Sequence, residues 1–168
     1  MNKLLNFFSS RQWLVLMGLA SLALLGFGLY LQHVVGLDPC PMCIVQRYAL
    51  VLIALFAFCM AAFPQKGMQS TGLAVVALWA VGGAYVAARQ SWLQWYPPDV
   101  VSCGRDFYGM IETFPLKRAI PMIFKGGGDC SKVDWTLLGG SIANWSFLAF
   151  CGFALLALAL LLRSRKPR

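Results

Sequence analysis

Charge is scarce in this chain. Of its 168 residues, 14 are Lys or Arg and six are Asp or Glu, 12% in all, against 60% hydrophobic residues. A soluble domain of this size needs roughly a quarter of its residues charged to cover its surface, so a water-soluble globule is excluded. No Asp, Glu, Lys or Arg occurs from Gln12 to Leu37. Internal repeats and low-complexity tracts are absent as well. The mean hydropathy of +0.69 is that of an integral membrane protein with no room for a large second domain.

What is present is a set of apolar stretches. Crossing a bilayer takes about 20 mostly apolar residues, and four stretches qualify, at about 13–31, 44–63, 71–88 and 145–162. The second is interrupted only by Arg47, near its start. Gly82-Gly83 inside the third reads as close helix packing and not as a turn. The expected fold is all-α: a single four-helix membrane bundle with outer loops at about 32–43 and 89–144.

The few charges assign the sides. Lys3, Arg11, Lys66, Arg163, Arg165, Lys166 and Arg168 fall on one side with no acid among them, and all six acids fall on the other. The positive-inside rule then puts both termini in the cytoplasm and the cysteine-bearing loops outside. The net charge of +8 is a topology signal, with no nucleic-acid partner behind it. No small-x-small cleavage site stands just after the first apolar run, so that run reads as a retained signal anchor.

The second outer segment, rich in Pro and Gly at Tyr96-Pro97-Pro98 and Gly126-Gly127-Gly128, reads as an extended loop. Within it Trp135, Leu138, Ile142 and Trp145 recur at helical spacing. They predict either a short helix on the membrane surface or the ragged start of the fourth span.

Six cysteines are present. Cys59 and Cys151 lie inside spans, where cysteine usually acts as a small hydrophobe. The other four, Cys40, Cys43, Cys103 and Cys130, lie outside, where disulfides are permitted. Cys40-Pro41-Met42-Cys43 at the mouth of a span is a redox device: such spacing lets a disulfide close and exchange readily. A static bridge there would constrain little of the unfolded chain, although for Cys103 and Cys130 a static staple is a fair alternative. A zinc site from the four cysteines is disfavoured, because the second pair is 27 positions apart and lacks Cys-x-x-Cys spacing. No metal is expected.

If a helix begins near Cys40, then Cys40, Cys43 and Arg47 share one face. A guanidinium about a turn inside the membrane edge is costly and tends to be functional. Beside Cys43, with the helix N-terminus, it favours the thiolate. The competing reading is an Arg snorkelling to the headgroups. His33, two residues past the first span, is an interfacial side chain by position.

Taken in order, Gln32-His33-Val34, Pro39-Cys40-Pro41-Met42-Cys43, Gln46-Arg47, Gln94-Trp95-Tyr96-Pro97, Cys103, Gly127-Gly128-Asp129-Cys130 and Trp135 with Leu138-Gly139 closely resemble the DsbB family. These are bacterial inner-membrane proteins that form disulfides by passing electrons to quinone. The resemblance implies a soluble periplasmic thioredoxin-fold oxidase, DsbA, as partner, attacking a Cys103–Cys130 disulfide at Cys103. Cys130 would then attack the Cys40–Cys43 pair at Cys40, and Cys43 would donate to ubiquinone or menaquinone from the membrane pool. Arg47, with Cys43 and His33, is then the candidate quinone site. Where the family pattern suggests a histidine, before the Gln-x-Tyr-Pro stretch, this chain has Gln90. Two rival readings are a paralogue dedicated to one oxidase and a structural membrane subunit with static disulfides.

Overall fold

Local chemistry starts three of the four long helices. In the computed structural model, which describes residues 9–97, 128–131, 133 and 135–164, α1 spans Ser10–His33 and is opened by a capping box. There Ser9 Oγ accepts from the Gln12 N–H, and the Gln12 side chain accepts in return from the Ser9 N–H. Helix α2, Pro41–Ala62, has Cys40 as its N-cap and Pro41 in its first turn, where a missing N–H costs nothing. It stops before Pro64, and after a short connector α3 runs from Lys66 to Trp95. The single turn α4, Gly128–Ser131, carries Cys130. A hairpin of β1, Thr136–Leu137, and β2, Gly140–Ser141, leads into α5, Ile142–Ser164. Ser141 caps α5 by accepting from the Asn144 N–H at 3.4 Å.

Among the described residues, α1, α2, α3 and α5 are the four helices long and apolar enough to cross a bilayer. The chain is a multi-pass membrane protein. Helix α3 is the central element, packed against α2 on one side and α5 on the other, with α1 laid against α2. Leu14, Met17, Ile53, Leu73, Val76 and Phe150 fill the buried seams. Ala57, Ala80 and Ala157 sit fully buried between them and let the helices approach closely.

Two expectations need correction. Helix α3 continues to Trp95, past the expected end of the third span near residue 88, so Gln90 is a buried helical residue and not part of a loop. At 30 residues α3 is about 45 Å long, more than the hydrocarbon thickness, so hydropathy marks only its apolar part. The surface helix through Trp135 and Leu138 is also absent. Leu138 and Gly139 form a tight turn with φ of 51° and 80°, and Thr136 pairs with Ser141 across it. Positive φ at both central residues closes a hairpin and cannot continue a helix. The expected extended loop falls mostly on residues 98–127, which, Cys103 among them, lie outside the described residues.

The glycine pair divides in its roles. A Cβ on Gly83 would stand 2.5 Å from the Phe150 ring, whereas one on Gly82 would meet nothing within 4 Å. Gly83→Ala is therefore expected to destabilise by about 1–3 kcal/mol through overpacking. Gly82→Ala should be neutral or gain up to about 1 kcal/mol from helix propensity. Thermal unfolding of the two variants in detergent checks this; equal midpoints would mean that the Phe150 ring can step aside.

Candidate active site

The Cys-x-x-Cys pair is built into the first turn of α2. As N-cap, Cys40 places its Sγ 3.3 Å from the Cys43 N–H, which donates to it. That cap brings the two sulfurs to 2.8 Å from one another, both unbridged. Cys40 is buried and Cys43 is half-buried.

Cys130 reaches the same place from the other side of the chain. Helix α4 packs on α3, and Cys130, 1% exposed, lies in one buried cluster with Cys40, Met42, Val86 and Leu93. Hydrogen bonding with Cys130, then with Cys43, then burial, hold the Cys40 thiol well above the ordinary thiol range. The expected neighbourhood of Cys130 and Cys40 is present; the expected pairing of Cys103 with Cys130 falls outside the described residues.

Cys40, Cys43 and Arg47 do share one face, and it forms a wall of a cavity of about 320 Å³. The cavity is framed by Phe27, Gly28 and Gln32 of α1, Leu50 of α2, and Trp145 and Phe150 of α5, with Trp135 beside the hairpin. Trp135 meets Phe27 edge-on, ring centres 5.9 Å apart. Trp145 Nε1–H donates to the Leu137 carbonyl at 3.0 Å, tying the hairpin to α5. Arg47 is bonded to α1. Its Nη1–H donates to Gln32 Oε1 and its Nη2–H to the Gly28 carbonyl at 3.0 Å, so the guanidinium is pinned to α1 beside the cavity.

His33 is not brought to the cavity. It sits exposed at the last turn of α1 and is not among the residues lining the cavity, where the preceding Gln32 stands instead. One step along a helix turns a side chain by about 100°, enough to take it off the shared face. Cys59, exposed, and Cys151, half-buried, also lie away from the cavity.

Sequence reasoning gave no role to a set of glutamines. Gln46 Nε2–H donates to Gln90 Oε1 at 2.7 Å, and Gln90 Nε2–H approaches Cys40 Sγ at 3.3 Å and Cys43 Sγ at 3.2 Å. Ser141 Oγ donates to Gln94 Oε1 at 2.6 Å. The available signal was an amide within or at the end of an apolar run, since an amide without a partner there is costly.

The arrangement suits thiol–disulfide exchange: three sulfurs are gathered at a helix start, and two of them, Cys40 and Cys43, line an apolar cavity beside a fixed cation. Comparison with known proteins points the same way. A family model described as disulfide bond formation protein DsbB matches residues 10–160. A protein named Disulfide bond formation protein B from Albidiferax ferrireducens is 69% identical over 156 residues, covering 92% of this chain and 89% of that protein. Another of the same name from Polaromonas sp. strain JS666 is 66% identical over 158 residues, 94% of each chain. With most of its length matched at such identity, this chain belongs to the DsbB family, membrane proteins of disulfide bond formation.

Proposed function

We propose that this chain is a thiol:quinone oxidoreductase of the bacterial inner membrane that reoxidises a periplasmic, DsbA-like thioredoxin-fold dithiol protein. Both termini would be cytoplasmic and the cysteine loops periplasmic, as the basic residues at 163–168 and at Lys3, Arg11 and Lys66 suggest. The observation that carries the reading is the position of Cys40-Cys43 between two neighbours: Cys130 buried against Cys40, and an apolar cavity that both Cys40 and Cys43 line.

The reaction follows as a relay of exchanges. A partner thiolate attacks Cys103 of a Cys103–Cys130 disulfide; the new bond joins Cys103 to the partner, and the electron pair leaves on Cys130. The Cys130 thiolate attacks Cys40 of a Cys40–Cys43 disulfide, and the pair then leaves on Cys43. The partner's second cysteine attacks its own mixed disulfide, which frees the partner oxidised and leaves Cys103 as a thiolate. Cys103 in turn displaces Cys40 from Cys130, which restores the loop disulfide and leaves Cys40 and Cys43 reduced.

The cavity fits a quinone head: its volume is in the range of small-molecule sites, its walls are mostly apolar, and Arg47 stands in it as a fixed donor. Bound there, ubiquinone or menaquinone would supply the two-electron acceptor. Arg47 holds positive charge beside both Cys43 and the space in the cavity, which favours negative charge developing in either place. The two cysteines, so close at the helix start, can re-form their bridge without moving the backbone far.

The direct test reduces the purified protein, removes the reductant and adds quinone. An oxidase recloses its disulfides and consumes quinone, whereas a protein with static disulfides stays reduced. Arg47 gives a second check. Arg47→Lys keeps the charge but loses the planar fork that bridges Gln32 and Gly28, so the apparent quinone KM should rise several-fold with partial turnover. Arg47→Gln removes the charge and should lower turnover further, about tenfold or more. Parent-like KM and turnover in both variants would return Arg47 to the role of an anchor.

A further inference from the structure

Gln46 and Gln90 are each 4% exposed, on facing turns of α2 and α3. An amide can present either its oxygen or its NH2 group to a neighbour. Here the choice is made: the Gln46 NH2 donates to Gln90 Oε1 at 2.7 Å, which leaves the Gln90 NH2 aimed at the sulfurs, 3.3 Å from Cys40 and 3.2 Å from Cys43. A neutral thiol is a weak acceptor and a thiolate a strong one. The same donor is therefore worth more when a sulfur carries charge.

We propose that Gln90, locked in one orientation by Gln46, is a positioning residue for the dithiol that holds an N–H on the sulfur bearing charge as the Cys40–Cys43 bridge opens. This rests on the reading of Cys40 and Cys43 as the redox pair. When Cys130 attacks Cys40, the Cys40–Cys130 bond forms and the Cys40–Cys43 bond breaks. The electron pair then leaves on Cys43, beside a donor already in place. An amide does not titrate, so the donor is present at every working pH, which an ionisable residue in that position would not guarantee. Arg47 is bonded to α1, whereas Gln90 reaches both sulfurs from α3.

The test uses the full-length protein in detergent, with neither quinone nor partner added. Two quantities are read by mass mapping of Cys40 and Cys43: the rate of Cys43 alkylation by iodoacetamide, and the dithiol–disulfide equilibrium against dithiothreitol. A hydrogen bond to a charged group is worth enough for about a tenfold change. Gln90→Leu should slow alkylation about tenfold and shift the equilibrium about tenfold toward the disulfide. Gln90→Glu, which replaces the donor with a negative charge, should shift both further. Gln46→Leu should give a smaller shift, and adding it to Gln90→Leu should change nothing more, because Gln46 acts through Gln90.

The proposal is overturned if Gln90→Leu keeps the parent's alkylation rate and equilibrium, or if the Gln46→Leu effect persists in the double variant. Should Gln90→Leu fail to fold, Gln46→Leu decides alone, a partial shift supporting the proposal and no shift overturning it. These readouts are separate from turnover. A parent protein unable to reduce quinone would remove the proposed function and leave them standing. A quinone-reducing parent with a parent-like Gln90→Leu would remove only the role of Gln90.

Discussion

Cys43→Ser is expected to reduce quinone turnover to background, a loss of about three orders of magnitude or more, as for other essential members of a reacting unit. A hydroxyl at that position cannot form or release the sulfur–sulfur bond. It also leaves Cys40 without its bridge partner, 2.8 Å away in the parent. The loop disulfide should still exchange once with reduced partner, since Cys103 and Cys130 are untouched. Cys130 would then have only the Cys40 thiol beside it, with no disulfide to attack, and electrons would go no further. Single-turnover measurements separate the two events: partner oxidation in one stoichiometric burst, then nothing. Sustained quinone reduction by this variant would mean that Cys43 is not the donor.

Cys130→Ser should be blocked earlier. Cys103, now a thiol with no bridge partner, can attack the disulfide of oxidised partner: a bond forms from Cys103 to one partner sulfur, the electron pair leaves on the other, and no loop cysteine remains to release the complex. A mixed disulfide between Cys103 and the partner should then accumulate, visible as a covalent complex on non-reducing gels. The site adds a complication that the sequence did not show. Cys130 is almost fully buried among Cys40, Met42, Val86 and Leu93, so a serine hydroxyl there costs about 1–3 kcal/mol unless it finds a partner. Cys130→Ala lacks that penalty and should trap the same complex with better yield. If Cys103→Ser traps the partner and neither Cys130 variant does, the two cysteines exchange roles.

The spans, the helix start at Cys40 and the shared face of Cys40, Cys43 and Arg47 could all be read from residue types and spacing. Those signals are local: apolar run length, a Pro after a capping position, the turn of one helix. What could not be read depends on contacts between distant segments. Hydropathy falls at Arg89, yet α3 continues because Gln90, Ser91 and Leu93 are buried against neighbouring elements. The apolar spacing of Trp135, Leu138, Ile142 and Trp145 suggested a helix, but the Leu138-Gly139 turn reversed the chain. The resemblance flagged Gln90 as a departure from the family pattern. Only the fold, which brings residue 90 onto residues 40 and 43, turned that departure into a contact. His33, just past the first span, stands exposed, while Gln32 beside it reaches Arg47.

Because Cys40 is itself the cap of α2, the reactive pair has no independent hinge. Its Sγ takes the Cys43 N–H at 3.3 Å, and a sulfur bonded to another sulfur keeps the lone pairs that accept it. The end of the helix can thus stay wound through every redox state of Cys40. In the proposed relay the pair would act as a fixed anvil set into the bundle, and the stroke of each cycle would belong to the sulfur of Cys130.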